Sequence, residues 1–264
     1  MKDKLQWEES HSGKVVHLIL NSPENLNAMD LSMAEAFRAA KSRLENHEGL
    51  RLVAIRGRGR AFSAGGDLEM LKLKAQKSLA TNEEEMLWFY RSFLGLRDLN
   101  VPLVCALHGH VVGAGFCFAS ACDVRVADET CLLSAPFARL ALHPGMGGSY
   151  FLPRCFGPEV ARELMLTGRR MAAPEAQKLG YLAAVTSPDQ LHQELEALLS
   201  NILKSAPEAT RALLVRQRED EAEVVERTLK REATEQAKCY QRPEFLGGVE
   251  ALQRKEAPPW LEKA

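Results

Sequence analysis

The sequence lacks a surplus of either charge. Its 264 residues carry 34 Lys and Arg against 35 Asp and Glu, which leaves a formal net charge of −1. Proteins that hold nucleic acid by neutralising phosphates normally have a basic excess, so nucleic acid is not an expected partner. Charged residues at 26% and hydrophobic residues at 46% are ordinary for a globular chain, which excludes wholesale disorder.

Paired cysteine motifs are also missing. No CxxC pair occurs. The pattern predicts reduced, mostly buried thiols, with neither a disulfide framework nor a metal site. The six cysteines are Cys105, Cys117, Cys122, Cys131, Cys155 and Cys239.

A targeting segment is not apparent at the start of the chain. The first residues, MKDKLQWEESHSGK, mix acids and bases without an apolar stretch, so we expect a cytoplasmic protein. Residues 99–122 carry no formal charge and are long enough to cross a bilayer. Because Pro102 and Gly113 interrupt them, they predict a buried strand, a glycine turn and a buried helix, and no membrane partner.

Strands and helices alternate along the first half of the sequence. Short β-rich runs predict strands at 15–20, 52–56 and 101–107, each followed by a stretch with helical spacing. From residue 158 the composition favours helix, including the charged but amphipathic stretch 209–238. The order predicts an α/β fold with a helical C-terminal region, and a boundary between residues 188 and 207.

Two glycine loops have the same physical character. Residues 61–67 (AFSAGGD) and 108–116 (HGHVVGAGF) both place small residues between a predicted strand and a predicted helix. Such a loop leaves backbone N–H groups exposed at a helix amino end, where negative charge binds. Two of these groups directed at one oxygen would form an oxyanion hole. Taken alone, each loop is weak evidence of such a site, because structural turns with glycine are common.

Four motifs occur together in a fixed order over nearly the whole chain: NSPENLNAMD (21–30), AFSAGGDLEML (61–71), HGHVVGAGFCFASACDVRVAD (108–128) and LHPGMGGSYFLPRCFG (142–157). This set resembles the crotonase, or enoyl-CoA hydratase/isomerase, superfamily. The resemblance implies a crotonase-like spiral of ββα turns over residues 1–200. It also implies a helical oligomerisation region over residues 201–264, which would form a homotrimer or a hexamer of two trimers.

The implied ligand is an acyl-CoA thioester, so coenzyme A belongs to the substrate and no separate cofactor is expected. By motif position, the oxyanion N–H groups would come from Ala64 and Ala114, the latter where the family usually has glycine. The residues implied to lie along the coenzyme A and thioester are Asn25, Leu26, Ala64, Gly65, Gly66 and Asp67.

The sequence departs from the family pattern at its two catalytic glutamates. Aligned by motif, these positions hold Cys117 and Phe137. Hydration of an enoyl thioester needs one group to activate water and another to protonate the α-carbon, and neither residue replaces a carboxylate in these roles. The sequence thus predicts an oxyanion hole without an evident acid–base pair.

Two nearby side chains are alternative candidates for chemistry. Cys117, just after the second loop, would be a thiolate if the helix amino end lowers its pKa, or else a small buried apolar residue. His143 would be a proton shuttle near neutral pH, or else a residue that hydrogen-bonds backbone at a turn. Asp67 opens a predicted helix, where a capping role competes with lining the site.

Three functions remain open from the sequence. The first is an acyl-CoA enzyme that stabilises a thioester enolate, nominally an enoyl-CoA hydratase or isomerase. The second is a decarboxylase of the same fold, in which loss of CO₂ generates the enolate without a strong protein base. The third is a degenerate relative that binds acyl-CoA without chemistry.

Overall fold

The computed structural model describes residues 3–261, in which ten strands form two sheets. The larger sheet has the order β1-β2-β3-β5-β7-β10, and the smaller has the order β4-β6-β8-β9. The strands are β1 (Leu5–Ser10), β2 (Val15–Leu20), β3 (Leu52–Gly57), β4 (Ala61–Ser63), β5 (Leu103–Leu107), β6 (His110–Val112), β7 (Val124–Asp128), β8 (Leu132–Ser134), β9 (Met171–Ala172) and β10 (Ala184–Thr186).

Nine α-helices accompany these strands within the described part of the chain. They are α1 (Leu31–Glu45), α2 (Leu68–Lys74), α3 (Leu79–Leu94), α4 (Ala114–Ala121), α5 (Gly148–Thr167), α6 (Ala173–Lys178), α7 (Leu191–Leu203), α8 (Pro207–Tyr240) and α9 (Pro243–Arg254). The α5 helix is kinked at Gly157, whose φ of 76° is not helical.

Three successive turns of the chain each contribute one strand to each sheet. The pairs β3–β4, β5–β6 and β7–β8 run from the larger sheet into the smaller one, and a helix then begins. Strands β2, β3, β5, β7 and β10 run parallel to one another, as do β4, β6 and β8, whereas β1 is antiparallel to β2 and β9 is antiparallel to β8. This arrangement confirms the α/β fold class and the spiral of ββα turns.

The uncharged stretch folds into the centre of the protein. Strand β5 is buried along its whole length, and seven of the eight residues of α4 are buried. Coverage on both faces explains why these elements lack polar alternation. In the described part of the chain, no helix is both long and apolar enough to span a membrane.

The C-terminal helices pack on the spiral rather than extend from it. Helix α7 covers the outer face of the larger sheet with Leu195 and Leu199, whereas α8 runs along α3 and buries Leu229, Ala233 and Tyr240. The helical C-terminal region is therefore confirmed. The division at residue 200 and the oligomerisation role remain predictions.

Gly109 marks the point where the chain crosses between the two sheets. Its φ is 54°, and a Cβ built there would lie 2.1 Å from the carbonyl oxygen of Arg60. The crossing is tied by hydrogen bonds from Phe62 N–H to the His108 carbonyl, at 2.9 Å, and from Leu132 N–H to the Gly109 carbonyl, at 2.7 Å.

We predict that Gly109→Ala lowers the free energy of unfolding by at least about 2 kcal/mol, because it adds a backbone clash to the strain of positive φ. Gly49→Ala is the matched control, since Gly49 has a φ of 75° with no atom within 4 Å of its would-be Cβ. The control carries strain alone and should lose about 1 kcal/mol. Urea denaturation measures both, and equal losses would show that the close approach does not constrain the fold.

Candidate active site

A cavity of about 400 Å³ opens where the two glycine loops meet the C-terminal helices. Its lining is mainly apolar, with methionine, leucine and phenylalanine side chains from several elements. The first loop, α2, α3, the second loop and the turn before α5 all contribute, and α8 and α9 cover the remaining side.

The two glycine loops pack backbone against backbone. Gly65 has a φ of 93°, and a Cβ there would lie 2.8 Å from the Val112 carbonyl oxygen and 3.5 Å from the Ala114 nitrogen. Gly113, with a φ of 52°, faces Gly65 from the other loop, its would-be Cβ 4.0 Å from the Gly65 Cα. Glycine at both positions therefore brings the loops to the same wall of the cavity.

The hydrogen bonds of the first loop correct one assignment. The Ala64 N–H donates to the Leu26 carbonyl at 2.9 Å, so it is not free to bind a ligand oxygen. The next N–H, of Gly65, donates to Ser63 Oγ at 3.1 Å. The Gly66 N–H has no acceptor among the described residues, and Gly66 lines the cavity. The Ala64 N–H is therefore already paired, and Gly66 has the first-loop N–H that is left without a partner in the described structure.

In the second loop, the predicted donor is available. Ala114 is the first residue of α4, and the opening N–H groups of a helix have no partner within it. No acceptor for the Ala114 N–H is found in residues 3–261, and Ala114 lines the cavity. Its φ is not positive, so alanine fits here without strain.

The residues implied to follow the coenzyme A divide into two groups. Asn25, Gly65 and Asp67 line the cavity, and the Asn25 Oδ1 is buried without a hydrogen-bond partner in the described structure. Leu26 lies outside the lining, and its carbonyl holds the first loop. Asp67 also caps α2, because its Oδ1 accepts from the Met70 N–H at 2.8 Å.

The two positions that lack glutamate have different surroundings. Cys117 is fully buried and lies outside the lining, with its Sγ packed against Gly148. Burial raises the pKa of this thiol well above its ordinary value, which favours the unreactive thiol. Phe137 lines the cavity, and its ring tip lies 4.0 Å from the would-be Cβ of Gly113. The aromatic ring of Phe137 thus lies beside the second loop.

His143 is likewise outside the cavity lining. Its Nδ1 donates to the Pro144 carbonyl at 2.7 Å, and its own carbonyl accepts from Gln236 Nε2 at 2.8 Å. This geometry matches the structural alternative for His143, in which the imidazole binds backbone at a turn.

Gln236 of α8 is a buried polar residue that lines the cavity, and the sequence did not predict it. Gln236 Oε1 accepts from the Tyr90 and Tyr240 hydroxyls, both at 2.8 Å. Tyr90 and Gln236 both line the cavity. They also pack against Gly145, because a Cβ built on Gly145 would lie 2.5 Å from the Tyr90 hydroxyl. The apolar stripe of α8 predicts burial of this helix face, but not that a glutamine lies on it.

A second missed residue lies one turn earlier on α8. Glu232 is fully buried, and its carboxylate accepts from Gly147 N–H at 2.7 Å, Ser149 N–H at 2.8 Å and Ser149 Oγ at 2.6 Å. Burial raises the pKa of Glu232 to about 7, although the three hydrogen bonds act in the opposite direction. Glu232 does not line the cavity.

Carboxylates are scarce in the lining. Within the described residues, Asp67 and Glu69 are the two that border the cavity. Glu69 is exposed and hydrogen-bonds Lys72 at 3.1 Å and Gln253 at 2.9 Å. No group of three or more His, Cys, Asp or Glu side chains in residues 3–261 is arranged to hold a metal ion.

Known proteins are similar to this chain in sequence and in fold. The family model described as enoyl-CoA hydratase/isomerase matches residues 10–263. A probable enoyl-CoA hydratase of Mycobacterium tuberculosis, EchA14, is 33% identical over 246 residues, covering 91% of this chain and 94% of its own. A putative enoyl-CoA hydratase/isomerase of Bacillus subtilis, YngF, is 36% identical over 196 residues, 74% of each chain.

A solved structure adds a ligand to this comparison. The putative enoyl-CoA hydratase of Thermobifida fusca, in complex with acetoacetyl-CoA, superposes with a TM-score of 0.74 and is 27% identical. The alignment covers 88% of this chain and 93% of that one.

We predict that Cys117 resists alkylation in the folded protein, because its thiol is buried and its pKa is raised. Iodoacetamide should label the half-buried Cys239 at least about tenfold faster than Cys117. Peptide mass spectrometry measures both, and labelling in denaturant provides the reference. Rapid labelling of native Cys117 would restore it as a candidate nucleophile.

Proposed function

Because the chain belongs to the enoyl-CoA hydratase/isomerase family, we propose that it is an acyl-CoA enzyme that stabilises a thioester enolate between the Gly66 and Ala114 N–H groups. One observation carries the proposal. These two N–H groups come from loops in backbone contact, both lack a protein acceptor in the described structure, and both border one cavity.

The physical basis is the charge that develops on the thioester oxygen. When the α-carbon becomes a carbanion, its electron pair moves into the thioester and places negative charge on that oxygen. Two fixed N–H donors stabilise this charge without reorganising, and they do so most strongly away from water. The amino end of α4 contributes further through its partial positive charge.

The proposed substrate lies with its coenzyme A arm along Asn25 and the first loop. The unpaired Asn25 Oδ1 would accept a hydrogen bond from this arm. The acetoacetyl-CoA bound in the Thermobifida fusca relative supports an acyl-CoA ligand. The acyl group would enter the apolar part of the cavity, beside Phe89, Phe137 and Met146.

Hydration or isomerisation is the nominal reaction of the family, but the scarcity of carboxylates favours a second candidate. Phe137 borders the cavity where an acid is expected, and Cys117 is buried outside the lining. In decarboxylation of a malonyl-type thioester, the bond from the α-carbon to the carboxylate breaks and CO₂ leaves. The electron pair forms the enolate, and the α-carbon then takes a proton from water.

The oligomeric state, the location and the partners of this protein are also proposals. We propose a cytoplasmic homotrimer, or a hexamer of two trimers, assembled through the helical C-terminal region. Acyl-CoA would be the partner, with neither nucleic acid nor a membrane involved, and no separate cofactor or metal would be required.

We predict turnover of an acyl-CoA, and a substrate panel decides the reaction. Short and medium enoyl-CoAs test hydration and isomerisation spectrophotometrically, and malonyl-type CoA esters test decarboxylation through released CO₂. The apolar surroundings of Phe137 predict the larger kcat/KM for the malonyl-type esters. Binding of acetoacetyl-CoA without turnover of any ester would instead identify a degenerate acyl-CoA-binding protein.

The oxyanion donor is tested by Ala114→Pro, which removes the N–H. Proline fits the first position of a helix, so the fold should persist. We expect turnover to fall by about 10²- to 10³-fold, or acetoacetyl-CoA affinity to fall if no ester is turned over. Ala114→Gly keeps the N–H and is the matched control. Equal loss in both variants would remove the Ala114 N–H from the mechanism.

A further inference from the structure

We propose that Glu232 is the positioning residue of the acyl cavity: its carboxylate holds the turn that precedes α5, so that Gly145 and Met146 form the cavity wall. Glu232 is separated from the substrate by this turn, so it acts through backbone rather than by contact. The inference rests on the proposed acyl-CoA site.

Glu232 holds the amino end of α5 through three hydrogen bonds, and we call this arrangement the clamp. One carboxylate oxygen accepts from the Gly147 N–H, and the other accepts from both the N–H and the hydroxyl of Ser149. These groups belong to the amino end of α5, where N–H donors have no helical partner. The clamp therefore fixes the turn from the side opposite the cavity.

The turn itself is conformationally demanding. Met146 has a φ of 57° and Gly147 a φ of 73°, and a positive φ is costly for methionine. Surrounding contacts must hold such a conformation. Glu232 is anchored on the adjacent residues, and Gln236, one turn later on α8, donates to the His143 carbonyl at the other end of the turn.

Within the described residues, Glu232 has no compensating cation. No lysine or arginine among residues 3–261 lies within salt-bridge distance of it. The titratable groups that face it are the Tyr90 phenol of α3 and the Cys117 thiol of α4, and burial raises the pKa of both. Both neighbours are thus neutral near pH 7, and α5 supplies only hydrogen-bond donors.

The charge state of Glu232 therefore changes the clamp near neutral pH. An ionised carboxylate accepts all three hydrogen bonds, whereas a protonated one carries a hydrogen that competes with these donors. Since the pKa is raised to about 7, the full clamp forms as pH rises through that value. Acyl-CoA affinity should rise over the same interval.

The free energy of unfolding should fall as pH rises, whereas the acyl-CoA affinity should rise. Between the unfolded pKa of about 4.5 and the folded value of about 7, the native state binds more protons than the unfolded chain. Stability then falls as pH rises through this window. A residue that only stabilised the fold could not produce tighter binding as stability declines.

The test compares Glu232→Gln with the wild-type protein, using acetoacetyl-CoA from about pH 5.5 to about pH 8.5. The ratio of the two Kd values cancels the ionisation of the ligand. We expect a ratio near one at low pH, where Glu232 is neutral, and on the order of tenfold weaker binding by the variant above pH 7. Glu223→Gln, an exposed residue of the same helix, should leave the ratio at one.

A second variant tests the assignment to Glu232. Ser149→Ala removes a hydrogen bond to the ionised carboxylate and should raise its pKa further. The pH at which Glu232→Gln begins to weaken binding should therefore be higher in the Ser149→Ala background. A ratio of one at every pH, or an unshifted midpoint, would overturn the proposal.

A ligand-free measurement separates this inference from the proposed function. Amide exchange at Met146, Gly147 and Ser149, corrected for intrinsic rates, should show greater protection in the wild type than in Glu232→Gln above pH 7. If acetoacetyl-CoA fails to bind at any pH, the proposed function fails and this comparison still decides the clamp. Equal protection in both proteins would overturn it.

Discussion

The site depends on one close approach, between the backbones of the two glycine loops. Gly65 and Gly113 each adopt a positive φ, and a Cβ on Gly65 would collide with the Val112 carbonyl. The ββα spiral makes this approach possible, because β4 and β6 are neighbours in the smaller sheet and end at the same edge. The Gly66 and Ala114 N–H groups border one cavity as a consequence of strand pairing.

The architecture was predictable because its signals are local. The uncharged stretch containing β5 and α4 indicated a buried strand, a turn and a buried helix; the structure has the strand and the helix, and the segment between them includes a further short strand, β6, that was not predicted. Asp67 was recognisable as a helix cap from its position before an apolar run, and its Oδ1 accepts from Met70. In these cases the residue type and its spacing determine the conformation, so tertiary contacts were not needed.

The site was only partly predictable, because hydrogen-bond partners are not encoded locally. Ala64 and Gly66 belong to one motif and both have an N–H, but the Leu26 carbonyl, 38 residues earlier than Ala64, occupies the first and leaves the second free. The choice between them depends on how the segment before α1 crosses the loop. Glu232 was missed for a related reason. Its stretch is rich in charge, and only its register with Leu229, Ala233 and Tyr240 places it on the buried face.

The buried polar groups of α8 beside the cavity make their hydrogen bonds within the protein. Backbone groups and Ser149 satisfy the buried carboxylate of Glu232, and Tyr90 and Gln236 bind each other, while Phe137 and aliphatic side chains line the cavity. A low-dielectric lining strengthens the two N–H donors, and among the described residues the carboxylates that border it are Asp67, which caps α2, and the exposed Glu69. This division favours chemistry in which the substrate supplies its own electron pair. Under the proposed function, the rigidity of the turn before α5 would therefore matter more than an additional reactive side chain.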